Sequence, residues 1–271
     1  MAYKIQRLSL GGVLDQAIAI IKDHFGLLFK IMLLMVIPFN LIVGFLTESM
    51  TPQFDAEASY EEIMRASEEA GRYWPLLFVF SIVNLIIVVP ATNAAVIQAV
   101  ARLYLGEPIT AIEALKHGLK RLGPLIVTAI LMYLAIWGGL ILLIIPGIYF
   151  AIWFGLSQHV VVLEGLSGPK ALGRSRKLVH PNRGQFLALG IVLMIITISA
   201  SLGAEMIPQP HLKVVVATLV YALTTILWTA ALVVFYFSCR CAVDNFDLHY
   251  LAQAIGEEPG PDDGEFAGGP A

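Results

Sequence analysis

Charged side chains are what this chain has least of. Asp, Glu, Lys and Arg make up 14% of its 271 residues, and none occurs in the 42 residues from Leu122 to Leu163. That poverty excludes a soluble domain, which needs far more polar surface to cover a core of this size. Cysteine is nearly absent as well. Cys239 and Cys241 cannot form a disulfide framework, and one Cys-x-Cys without a second pair does not define a zinc site. His24, His117 and His180 are scattered and lack ligand spacing, so no metal and no cofactor is expected. The chain also lacks a glycine-rich nucleotide loop, a serine-nucleophile motif and paired intramembrane carboxylates, so no catalytic residues can be named and a non-enzymatic protein is expected.

What is present is apolar sequence in long runs. The chain is 58% hydrophobic with a mean hydropathy of +0.79. A bilayer core takes about 20 apolar helical residues per crossing. On that length the runs divide into six expected spans, at about 27–46, 74–100, 122–145, 148–163, 185–204 and 214–238. The fold class expected is therefore an all-α polytopic bundle, an integral membrane domain over 1–255. The Pro-, Gly- and acid-rich residues 256–271 are expected to form a disordered tail. Pro146-Gly147 is expected to be the tight turn between spans three and four.

Charge then orients the bundle. With both termini cytoplasmic, 14 of the 17 Lys and Arg residues fall inside, leaving Arg65, Arg72 and Lys213 outside. The positive-inside rule favours this arrangement. The first external loop is acidic, and Ser59 with Glu62 has the capping-box spacing of a short helix ending at Gly71. The formal net charge of −3 gives no reason to expect nucleic acid as a partner.

Before each outward-going span lies an amphipathic segment, an elbow. The first carries Leu10, Val13, Leu14, Ala17, Ile18, Ile21 and Phe25 at helical spacing. The second opens on a Thr110–Glu113 capping box and sets Ile112, Leu115, Leu119 and Leu122 against Lys116, His117, Lys120 and Arg121. The third sets Ala171, Leu172, Ser175, Leu178 and Val179 against Lys170, Arg174, Arg176 and Lys177. Such helices are expected to lie in the interface plane, apolar face in the acyl boundary and basic face toward headgroups. Lys116, Lys120, Arg121, Lys170, Arg174, Arg176 and Lys177 are accordingly the expected binding residues for anionic lipids.

Within the spans the polar residues are Asn84, Asn93 and Gln98 in the second and Gln158, His159 and Glu164 in or beside the fourth. Their commoner use is hydrogen bonding between helices. The sharper use is a polar path for a substrate.

Pro146-Gly147-Ile148-Tyr149, Val160-Val161-Val162-Leu163-Glu164-Gly165, Gly168, Ala171-Leu172, Ser175 and Leu178 together carry a family resemblance. The chain resembles the membrane domain fused to some glycerophosphodiester phosphodiesterases, and stand-alone YciC-type inner-membrane proteins. The resemblance is best over Pro108–Leu193. It implies a six-span bacterial inner-membrane module near lipid metabolism. The hydrolase of the fused proteins is a separate soluble barrel, and nothing in this chain resembles it.

Overall fold

The computed structural model describes residues 3, 5–50 and 59–246. The tail expected over 256–271 lies outside them. The described residues form helices α1 (Leu10–Asp23), α2 (Phe25–Leu34), α3 (Val36–Met50), α4 (Tyr60–Gly71), α5 (Trp74–Val83), α6 (Val89–Tyr104) and α7 (Ala111–Lys120). They continue with α8 (Leu122–Leu142), α9 (Ile144–Phe154), α10 (Ser157–Glu164), α11 (Gly168–Val179), α12 (Arg183–Glu205) and α13 (Pro210–Asp244). Five stretches are long and apolar enough to cross a membrane: Trp74–Tyr104, Leu122–Leu142, Ile144–Glu164, Gly168–Glu205 and Pro210–Asp244. The pair α2–α3, bent by 46°, makes a sixth when counted as one span. The protein is a multi-pass membrane helical bundle.

Most of the expected boundaries shift outward. The second span runs on to Tyr104, through a π-helical turn at Asn84–Val88 placed just before Pro90. A π turn re-spaces the ladder where proline removes a donor. The last span runs from Pro210 to Asp244.

The expected turn at Pro146-Gly147 is wrong. The chain reverses at Leu143, the single extended residue between α8 and α9, and Pro146 and Gly147 sit in the first turns of α9. The third span thus ends at Leu142 rather than 145, and the fourth begins at Ile144 rather than 148. Proline costs nothing in a first turn, where its missing N–H would have no helical partner. Gly147 serves packing instead. A Cβ there would lie 2.4 Å from Leu140 Cγ, and one on Gly139 would lie 2.9 Å from Gly147 Cα, so the two glycines let α8 and α9 close together.

The elbows form as helices, and their inner faces pack on the bundle. At 1.5 Å per residue α13 is about 52 Å long and α5–α6 about 46 Å, against a hydrocarbon core of about 30 Å. The elbows pack against the C-terminal halves of both. There α1 packs along α13 and α7 along α6, while α11 meets α8, α9, α10 and α13. The elbow faces that are buried are Val13, Ala17 and Ile20 in α1, Ala111, Ala114 and Gly118 in α7, and Ala171, Ser175, Leu178 and Val179 in α11. They are covered by protein, not lipid. A Cβ on Gly118 would lie 2.3 Å from the Ala91 carbonyl oxygen, so only glycine lets α7 approach α6 this closely. The core is concentrated in this layer, with every residue of α13 from Thr229 to Cys239 buried, whereas α5 buries none.

Candidate functional site

Two places gather the polar residues: the elbow end and a cavity inside the bundle.

At the elbow end a clamp joins three helices. Glu164 closes α10, Arg174 projects from the middle of α11, and Asp244 closes α13. Arg174 Nε donates to both Glu164 oxygens at 3.0 and 2.9 Å, and Nη1 donates to Asp244 Oδ1 at 3.1 Å. Nη2 closes the second contact to Asp244. The Tyr236 hydroxyl donates to Glu164 Oε1 at 2.8 Å, and Arg240 stands 3.5 Å from Asp244 while lying over the Phe246 ring. The Arg174 side chain is only 16% exposed. Its guanidinium therefore serves the fold rather than facing outward among the headgroup residues. Glu164 is correspondingly an ion-pair partner at the helix end.

The other basic residues divide. Arg176 stacks over Trp153 at 4.3 Å, and the Arg121 guanidinium lies against Gly165. Lys116, Lys120, Lys170 and Lys177 are exposed, and no carboxylate among the described residues forms an ion pair with them. On α7 the two lysines border Ile112 and Leu119, which are 59% and 46% exposed. The helix thus has a small-residue face against α6 and a separate large apolar face, edged with cations, turned outward.

Both halves of the α7 capping box are formed: Glu113 N–H to Thr110 Oγ1 at 3.3 Å and Thr110 N–H to Glu113 Oε2 at 3.0 Å. The bond donated by the Thr110 N–H, helped by the Thr110 side chain, holds the Glu113 pKa below its ordinary value. His117, half-buried with Nε2 3.4 Å from the Val162 carbonyl oxygen, ties α7 to α10, and burial lowers its pKa.

The cavity lies between α6, α8, the α9–α10 span and α13, and has a volume of about 440 Å³. Asn93, Gln158 and His159 all line it, joined by Tyr133 and Thr229. Among the described residues, no Asp, Glu, Lys or Arg does. Exposed Leu85, Ile86, Ile130 and Tyr133 rim the mouth, so it opens sideways toward lipid. His159 is 5% exposed, and neither ring nitrogen has a hydrogen-bond partner among the described residues. A second cavity of about 200 Å³ shares Asn93, Trp228 and Thr229 and adds Thr197, Tyr221, Thr224 and Thr225.

The remaining polar candidates stand apart. Asn84 Nδ2 donates to Asn40 Oδ1 at 3.4 Å, linking the first two spans, and Gln98 lies on α6 outside the cavity. Tyr236, Tyr133, Thr229 and Trp228 were not legible as site residues. A tyrosine or threonine in an apolar run carries no signal until its neighbours are known.

No family model, no curated protein and no solved structure matches this chain.

Proposed function

We propose that this is a non-enzymatic, lipid-interacting protein of the bacterial inner membrane, with both termini cytoplasmic, that holds anionic lipid at its elbow end in support of envelope or lipid homeostasis. The resemblance to the phosphodiesterase-associated membrane domain and to YciC-type proteins agrees with this reading. One observation carries it: α7 presents Lys116 and Lys120, which form no ion pair among the described residues, along the edge of an exposed Ile112–Leu119 face. A helix surface of that kind suits the boundary between acyl chains and anionic headgroups. Each cation near such a surface contributes about 1 kcal/mol. Lys170 and Lys177 extend the same chemistry to α11.

The test is lipid retention after mild detergent extraction, followed by native mass spectrometry. Replacing Lys116, Lys120, Lys170 and Lys177 together by Gln is expected to reduce retained cardiolipin and phosphatidylglycerol while leaving phosphatidylethanolamine unchanged. Arg174 stays in place, because removing it would break the clamp. Retention unchanged by the four substitutions would overturn the reading.

A second reading is transport of a small solute or lipid through the polar residues of spans two and four. The cavity reached by Asn93, Gln158 and His159 favours it. The sideways mouth favours a lipid-soluble cargo over an aqueous one.

A further inference from the structure

The cavity inside the bundle makes a demand of its own. Its volume of about 440 Å³ lies in the range of small-molecule sites, and its walls are mostly apolar, with Ile97, Leu125, Ile126 and Leu232 among them. In its wall the fold places His159, whose two ring nitrogens are both buried and find no hydrogen-bond partner among the described residues. A neutral imidazole offers one donor and one acceptor, and leaving a buried polar group unpaired is costly. The His159 ring thus calls for a partner that the protein does not supply. Gln158 and Asn93 add carboxamides to the same wall.

The chemistry of the partner follows by exclusion. With no cationic or anionic side chain in the lining, a charged group brought here would lose its hydration without gaining a counter-ion. Anionic headgroups are disfavoured for that reason. A pure hydrocarbon would fill the volume but leave the imidazole unpaired. A hydroxyl both donates and accepts, so it can serve either tautomer of the ring. Because the mouth opens to lipid between the π-helical turn at Asn84–Val88 and α8, the ligand must reach the site from within the bilayer.

We infer that this cavity is a binding site for a neutral, hydroxyl-bearing amphiphile, its chain along the apolar wall and its hydroxyl on His159. The inference rests on the cavity alone and does not depend on the cationic surface of the elbows.

The experiment uses the full chain in nanodiscs with a diazirine-bearing dodecanol as photolabel. Unlabelled dodecanol, dodecane and, above the pKa of its carboxyl group, dodecanoate compete at equal membrane mole fraction. Labelling is expected to map to residues 85–97 and 125–133. Dodecanol is expected to compete about tenfold better than dodecane or dodecanoate, the effect of about one hydrogen bond. His159→Leu should erase that preference, and His159→Asn, which keeps a donor and an acceptor, should retain it. Ala129→Phe, which fills the space from α8 and leaves His159 untouched, should abolish the mapped labelling. Equal competition by dodecane, a preference that survives His159→Leu, labelling spread over the lipid-facing surface, or labelling undiminished in Ala129→Phe would each overturn the site.

Discussion

Arg174 bears more of this structure than any other charged residue. Its guanidinium closes contacts to two carboxylates from two other helices, with side-chain exposures of 16% for Glu164 and 22% for Asp244. Removing one member of such a group leaves the others desolvated and unpaired, which commonly costs several kcal/mol. Arg174→Gln is therefore expected to destabilise the protein by about 3 kcal/mol. Lys170→Gln, four positions earlier on the same helix and exposed, is expected to change stability by less than about 0.5 kcal/mol. Thermal unfolding of both variants in one detergent separates the cases, and equal melting temperatures would refute the clamp. By sequence the two residues belong to one basic cluster. They lie one turn apart on the same face of α11, and what divides them is that Glu164 and Asp244, the latter 70 residues away, stand at the turn that carries Arg174.

At the scale of the element, α7 shows how one short helix serves two surroundings. Its 10 residues bury Ala111, Ala114 and Gly118 against α6 and leave Ile112 and Leu119 outside. The stripe of large residues is plain in the sequence, but it is the small residues that the protein buries. Close approach between helices needs small side chains, and inside a membrane layer large apolar ones gain little by leaving lipid. Two groups make this helix sensitive to acid. His117 and Glu113 both have lowered pKa values in the fold. Between its folded and unfolded pKa each group binds more protons when unfolded, so stability rises with pH there. The His117 contribution is present above the unfolded histidine pKa of about 6.5 and is lost as pH falls through the lower folded value. The Glu113 contribution goes later, below the ordinary carboxylate range. Amide-exchange protection of α7, corrected for intrinsic rates, is expected to fall as pH drops below about 6.5. His117→Gln should remove the first step and leave the second, and protection independent of pH would refute the assignment.

At the scale of the whole molecule, the bundle is uneven. One end is a packed layer of elbows around the C-terminal halves of α5–α6 and α13, and the other is a set of thinly packed apolar helices whose exposed faces suit lipid. The orientation proposed from the charge partition would put the packed end in the cytoplasm. Cysteine substitutions at Gly71 and Gly173 test that orientation, since a side chain at either meets nothing within 4 Å. In intact spheroplasts an impermeant thiol reagent is expected to label Gly71→Cys and to spare Gly173→Cys until the membrane is opened. The native Cys239 and Cys241, both buried, should contribute little background. The reverse pattern would invert the topology.

What the sequence by itself determined is whatever depends on near neighbours along the chain. The apolar runs, the basic flanks, the three elbows and both capping boxes belong here, because helix formation, capping and insertion into a bilayer act over one to about 20 residues. The tertiary structure alone decided what depends on residues far apart. It turned Pro146-Gly147 from a loop into the start of a tightly packed helix. It covered the elbows with α6 and α13 and joined Glu164 to Tyr236 across 72 positions. It also brought Asn93 and His159 to one cavity. In an apolar chain nearly every helix face is chemically alike, so composition says that faces will meet but not which ones. The pairing is settled by where small residues permit close approach, and by where the few buried polar groups find, or fail to find, a partner.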